Sequence, residues 1–333
     1  MSELAHRRAE TDARIAQLRK KLTRAEDFLK HKACVFATGS FGRREAGRHS
    51  DLDLFIAGKN ERKRGTDATG PSLLKGLNEI CVKADLIKVT RELGIPEFSG
   101  EGRYLTHFSA NEFTETLGTP HDDVTNTFTA RVLLVLESRP LLEPAVYREV
   151  IEQVIYAYWR DYRDHKADFM PAFLANDILR LWRTFCVNYE ARTERVPKLE
   201  KARGKLKNYK LKHSRLLTCY SGLLYLLAVY KRKRTVHPSD CSTMIDLTPT
   251  ERLEWIQSRP ELAHASRKIQ LLLSQYERFL EVTSASEEKL INQFMQKQSS
   301  QKYLGDARKF GDLVFDVLDE IGSGNPFYRL LVV

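Results

Sequence analysis

The sequence predicts an α+β protein, with a small mixed sheet and its helices over residues 1–140 and an all-helical domain over 141–333. Three observations predict it. Two short apolar stretches, ACVFAT (33–38) and DLDLFIAG (51–58), have strand character, the second through its alternation of polar and apolar residues. Helical spacing marks residues 10–30 (Ile15, Leu18, Leu22, Ala25, Leu29) and 73–93 (Leu73, Leu77, Ile80, Ala84, Ile87). From Ser109 onward nearly every stretch has helical character, most strongly 121–137, 144–165, 171–191, 206–230, 260–281 and 286–298.

Residues 10–30 form an amphipathic lead-in helix in this scheme, and a glycine- and arginine-rich turn joins the two strands. KNERKRGTDATGPS (59–72) has the composition of a solvated loop, and RYLTHFS (103–109) that of a third strand. SRPLLEP (138–144), with two prolines, is the expected junction between the domains.

Composition narrows the function classes. With 42% hydrophobic and 29% charged residues the 333-residue chain is that of a folded globular protein rather than a disordered one. Its net charge of +10 favours polyanionic partners: nucleoside triphosphates, RNA or an acidic protein. The five cysteines are scattered without CxxC spacing, which argues against a zinc site or a disulfide framework and fits a reducing cytoplasm. No apolar segment follows the first residues as a secretory signal would. The longest apolar run, Leu216 to Tyr230, falls short of the roughly 20 residues a membrane span needs, so a buried core helix and no membrane partner are expected.

The informative stretch runs from Gly39 to Leu54, GSFGRREAGRHSDLDL. On an extended strand Asp51 and Asp53 project to one side, roughly 6.6 Å apart along the chain, while Leu52 and Leu54 face the core and lock that register. Two carboxylates so placed repel each other unless a cation lies between them. Oxygen ligands that leave room for waters and phosphates suit Mg²⁺. Upstream, Gly39 and Ser40 end the first strand, where backbone N–H groups and the Ser40 hydroxyl can hold a phosphate. A lone Asp-x-Asp or a lone Gly-Ser is commonplace. The two together, between apolar flanks, define the halves of a triphosphate site.

These residues resemble the polymerase-β-like nucleotidyltransferases, whose pattern is Gly-Gly/Ser followed after about a dozen residues by Asp-x-Asp or Asp-x-Glu. The local likeness is to bacterial uridylyltransferases that modify nitrogen-signalling proteins and to related nucleotidyltransferase domains. Their Gly-Gly-Tyr-Gly-Arg-Gly-Glu turn and Ser-Asp-Ile-Asp-Leu strand correspond to Gly39–Glu45 and Ser50–Leu54 here. The resemblance implies Asp51 and Asp53 as catalytic metal ligands for two Mg²⁺ ions, with Mn²⁺ as a substitute. It implies Gly39, Ser40, Arg43 and Ser50 as nucleotide-binding residues.

Many members of that superfamily add a third carboxylate on a neighbouring strand. Asp85 and Glu101 are the candidates here, although the periodicity of 73–93 places Asp85 on a helix. The uridylyltransferases also carry a hydrolase domain, for which this chain is too short. Its only His-Asp pair, His121-Asp122, has the position of a helix-start acid.

In the helical half, Asn176, Arg180 and Arg183 share one helix face, with Leu179, Trp182 and Phe185 expected in the core. An arginine within an apolar helix needs an anionic partner, so Arg180 and Arg183 are candidate phosphate-binding residues, with Asp177 as the competing partner. The run from Lys198 to Arg215, with Tyr209 interleaved, is either a solvated face or an RNA surface. His31, His107 and His213 show no ligand spacing and are expected to be structural.

The function expected from these features is Mg²⁺-dependent transfer of a nucleoside monophosphate from a triphosphate to an acceptor hydroxyl, on protein or RNA. The triphosphate is expected in a cleft between the domains. The alternatives are a synthase of a nucleotide second messenger and a catalytically silent nucleotide-binding module.

Overall fold

A computed structural model describes residues 2–62, 69–96, 98, 105–191 and 197–332. The chain divides into two compact units, residues 1–160 and 161–333. The first is a mixed α+β domain and the second is helical, as the periodicities predict. The first unit runs on past the expected junction at 140/141.

In the first unit, α1 (Glu3–Lys21) and α2 (Thr23–Leu29) precede β1 (Ala33–Thr38). A single helical turn, α3 (Gly39–Gly42), and a loop lead to β2 (Asp53–Gly58). Strands β3 (Asn60–Arg62) and β4 (Thr69–Ser72) follow, then α4 (Gly76–Glu92), β5 (His107–Ser109) and α5 (Ala110–Glu115). Helices α6 (His121–Val124) and α7 (Thr127–Glu137), strand β6 (Arg139–Leu142) and helix α8 (Pro144–Tyr158) complete it.

The main sheet has the order β5-β2-β1-β6, with β1 antiparallel to β2 and β6, and β2 parallel to β5. Every residue of β1 is buried, as befits a central strand. One face of the sheet, with Val35, Ala37, Leu54 and Ile56, packs against Leu18, Leu22 and Leu29 of the lead-in helices and Val82 and Leu86 of α4. On the other face Phe36 stacks on Phe55 at 5.5 Å, and Tyr147 of α8 and Phe108 close over them.

Two segments depart from expectation. Residues 59–72 are not wholly loop: β3 and β4 pair as an antiparallel ribbon held by the Asn60 side chain on the Gly70 carbonyl (2.9 Å). The proline-bearing 138–144 is no linker either, because Arg139–Leu142 forms the edge strand β6. Proline is tolerated there because an edge strand leaves some backbone N–H groups without a ladder partner.

The second unit contains α9 (Ala172–Glu190), then α10 (Lys198–Lys210), which passes through a π-helical turn (Leu211–Arg215) into α11 (Leu216–Lys233). Helices α12 (Pro238–Asp246) and α13 (Pro249–Gln257) follow, then a 3₁₀ turn (Pro260–Ala265) and α14 (Ser266–Thr283). Helices α15 (Glu287–Met295), α16 (Lys297–Gly322) and α17 (Pro326–Val332) end the chain. The apolar run in α11 is a core helix, with Leu223 to Tyr230 all buried. Among the described residues no helix is long and apolar enough to cross a membrane.

Tyr209, at the heart of the basic run, is a core residue rather than a surface aromatic. It lies 5.7 Å from Phe294 and 5.5 Å from Phe279. Ala202, Leu206, Tyr209 and His213 form the buried stripe of α10 and the π turn, while Lys201, Lys207, Lys210 and Lys212 stay exposed.

His213 is buried, stacked on Phe279 at 4.6 Å, with Nδ1 2.8 Å from the Tyr209 carbonyl. Burial pulls its pKa down to about 4 from 6.5, against the opposing hydrogen bond to that carbonyl. Between those values the unfolded chain binds a proton that the folded chain refuses, so stability is full above about pH 6.5 and falls as pH drops toward 4. The loss should reach about 3 kcal/mol. Denaturation of His213→Leu across pH 4–7 should show this slope removed, and an unchanged slope would assign it elsewhere.

Candidate active site

The strand pairing brings the two halves of the motif together. Thr38, the last residue of β1, lies opposite Asp53, the first of β2, so Gly39 falls directly beside the Asp53 carboxylate, with Ser40 next in the chain. Leu52 and Leu54 are both buried in the core, whereas Asp51 and Asp53 are half-buried. Asp51 lies just before the strand rather than within it. Among the described residues nothing hydrogen-bonds or ion-pairs with the Asp51 carboxylate.

Gly39 is required here on two counts. Its φ is +62°, a left-handed conformation that costs other residues energy, and a Cβ would sit 2.5 Å from Asp53 Oδ2. Gly39→Ala should therefore lower stability by about 1–3 kcal/mol and push the carboxylate aside. Chemical denaturation would measure it, and a neutral result would mean the turn relaxes without strain.

The Gly39 N–H donates to Glu137 Oε1 (3.1 Å) and so is engaged by the protein itself. That leaves Ser40, half-exposed and opening the first turn of α3, where helix N–H groups lack intrahelical acceptors. Its hydroxyl makes no hydrogen bond among the described residues. Ser50 is partly committed: its hydroxyl oxygen accepts from the Gly47 N–H at 3.0 Å.

Arg43 has a different setting from the one its motif position implies. Its side chain is buried, with Nε on Glu45 (2.8 Å) and a terminal nitrogen on Glu137 (2.7 Å). Glu137 thus bridges Gly39 and Arg43, fixing the turn from α7 across the sheet. Helix α1 grips the same loop. Arg7 donates to the Glu45 carbonyl, Thr11 Oγ1 accepts from the Ala46 N–H, and Arg14 donates to the Gly47 carbonyl. Arg44 pairs with Asp12. Glu137 and these α1 contacts escaped the sequence reading because no local spacing links residues so far apart.

Asp85 sits on α4, where its carboxylate lies 3.8 Å from Arg24 of α2. A helix residue facing α2 cannot be the acid of a neighbouring strand, so this candidate is withdrawn. Glu101 lies outside the described residues. Among those described, no group of three or more acidic, His or Cys side chains could hold a metal. Asp51 and Asp53 are both half-buried carboxylates, ligands of the kind that fits a hard cation keeping waters and substrate oxygens as its remaining ligands.

Asp122 does lie in the first turn of α6, as expected, but in the core rather than at the surface. It is fully buried, with its oxygens 2.8 and 2.6 Å from the two terminal nitrogens of Arg131.

In the helical unit, Asn176, Arg180 and Arg183 do share a face and line a groove of about 460 Å³ with Thr184 and Leu330. Leu179 lines that groove too, and the buried face of α9 is Leu174, Ala175, Ile178 and Leu181 instead of Leu179, Trp182 and Phe185. Arg180 lies 3.8 Å from the buried Asp177. Arg183 has no hydrogen-bond or ion-pair partner among the described residues.

A turn ending one strand beside an acidic residue that opens the next is an arrangement that would suit a phosphate-transfer site on a small mixed sheet. Comparison with known families agrees: residues 16–129 match the family model of the nucleotidyltransferase domain. Over those residues the chain is similar to that family, and the match spans about a third of the chain's length. No curated protein and no solved structure matches the chain.

Proposed function

We propose that the protein transfers a nucleoside monophosphate from a nucleoside triphosphate to an acceptor hydroxyl. The observation that carries this is the abutment of Gly39 on the Asp53 carboxylate, with Ser40 next in line. Asp51 and Asp53 would hold Mg²⁺ or Mn²⁺, which would neutralise the triphosphate's charge. Ser40 contributes its hydroxyl and N–H to the phosphates. Glu137, Arg43 and helix α1 act as positioning residues that hold the turn in place.

In the reaction the acceptor oxygen bonds to the α-phosphorus as its bond to the bridging oxygen breaks, and pyrophosphate leaves. Catalysis of this kind rests on placement and charge neutralisation rather than on covalent chemistry by the enzyme. The acceptor is a protein side chain or an RNA end. The likeness of residues 39–54 to protein-modifying uridylyltransferases supports the first, and the exposed lysines of α10 support the second. Arg183 of the α9 groove is the candidate phosphate ligand of the helical unit.

Incubating the purified protein with each labelled triphosphate and Mg²⁺, with and without cell extract, tests the assignment. Pyrophosphate release with label on a macromolecule is expected. A cyclic or oligomeric nucleotide formed without extract would move the assignment to second-messenger synthesis, and no release with any triphosphate would overturn it.

A further inference from the structure

The far end of β2 carries a second constellation, on the opposite face of the sheet from Asp53. Ser72 Oγ of β4 lies 3.1 Å from His107 Nε2 of β5, and His107 Nδ1 lies 3.1 Å from Glu79 Oε2 of α4. Two consecutive elements, β4 and α4, and the more distant β5 thus place a hydroxyl, an imidazole and a carboxylate in line. The strand separation from Asp53 to Gly58, roughly 16 Å, keeps this group apart from the acidic pair.

The hydrogen bonds fix the direction of proton flow. Glu79 can only accept, so Nδ1 carries the imidazole proton and Nε2 is left as the acceptor. The Leu74 N–H donates to Ser72 Oγ (3.2 Å), which occupies one lone pair and leaves the hydroxyl proton directed at Nε2. Burial alone would raise the Glu79 pKa, but Lys83, paired at 2.6 Å, and His107 outweigh it and hold the carboxyl below its ordinary value. The carboxylate therefore stays charged to orient the ring. Gly58 forms the floor beneath: a Cβ there would lie 2.5 Å from both Ser72 Oγ and His107 Nε2. Ser72 itself is half-exposed, so a reagent can reach it.

We infer that Ser72, His107 and Glu79 form a nucleophilic triad, with Ser72 an acceptor of acyl groups from activated carboxylic esters. A hydroxyl paired to a base that a third group orients is the arrangement of an activated nucleophile. In the step, Ser72 Oγ bonds to the ester carbonyl carbon and its proton passes to His107 Nε2. The C–O bond to the alcohol then breaks, and the alcohol leaves with the proton returned from Nε2, giving acyl-Ser72. Glu79 stabilises the imidazolium formed between. A purely structural role, tying the β3–β4 ribbon to β5 and α4, predicts no unusual reactivity at Ser72.

A fluorophosphonate probe on the full chain, in chelator to keep metal out, separates the two. Its phosphorus takes the Ser72 oxygen as fluoride leaves, and the adduct is mapped by mass spectrometry. The expected result is labelling at Ser72, lost in Ser72→Ala and slowed about a hundredfold in His107→Gln. Melting curves check that the variants fold, and Glu79→Gln, also expected to be slowed, replaces His107→Gln if that variant does not. No adduct on the folded native protein, an adduct only elsewhere, or slowing of less than tenfold in the folded variant would overturn the inference.

Discussion

Asp53→Asn is expected to abolish nucleotide transfer while the protein melts at the same temperature or higher. The carboxylate is half-buried at the start of β2, and a second acid, Asp51, also half-buried, lies two residues earlier. Removing one of two close like charges relieves repulsion when no cation lies between them. The loss falls on catalysis instead. A metal ligand's share of the charge stabilisation amounts to several kcal/mol, about a thousandfold in rate. Asp51→Asn should behave alike, since nothing among the described residues holds its carboxylate. Pyrophosphate release and thermal melting, measured on the same preparations, decide the matter. Near-normal transfer in either variant would remove the acidic pair from the chemistry, and unfolding of either would make it structural.

The burial of Leu52 and Leu54 beside the two acids was legible because its information is local. Alternation over Asp51, Leu52, Asp53 and Leu54 fixes which side chains face the core, and both leucines are buried. What holds the turn in place was not local. Glu137 reaches Gly39 and Arg43 from a helix about a hundred residues on, and Arg7, Thr11 and Arg14 reach the loop from α1. The motif alone gives Arg43 to the nucleotide, yet two buried carboxylates account for its charge. Edge strand β6 was disguised by Arg139 and Pro140, which break the alternation that marks a half-buried strand. Tyr209, in contrast, could have been placed from the sequence: Ala202, Leu206, Tyr209 and His213 recur at helical spacing, and the lysines around them drew attention to charge instead of period. The His107 constellation carries no sequence signature, because β4, α4 and β5 each contribute one residue.

Arg131→Met should cost about 3–5 kcal/mol of stability at neutral pH, the usual result of stripping the partner from a buried charge. Arg131 and Asp122 are both fully buried and joined by two hydrogen bonds, and Arg131 also donates to the Tyr158 hydroxyl (3.0 Å) and the Phe113 carbonyl (3.2 Å). Burial by itself would push the Asp122 carboxyl up; the guanidinium, with Thr127 and Thr116, outweighs it and holds the pKa below its ordinary 3.8. The folded protein therefore releases this proton more readily than the unfolded chain. The pair's contribution is complete above about pH 4 and disappears as pH falls through the lowered value. In Arg131→Met the sign reverses. With the guanidinium gone, burial should outweigh the two threonine hydroxyls and the folded carboxyl should bind its proton more tightly than the unfolded one, so the variant should gain stability as pH falls from 7 toward 4. Asp122→Asn in the same background removes the buried charge and should recover part of the loss at pH 7. Urea denaturation of the single and double variants at pH 7 and 4.5 reads all three effects. A loss below about 1 kcal/mol, or a variant whose pH slope matches that of the native protein, would mean that water enters and solvates the carboxylate when the guanidinium is gone.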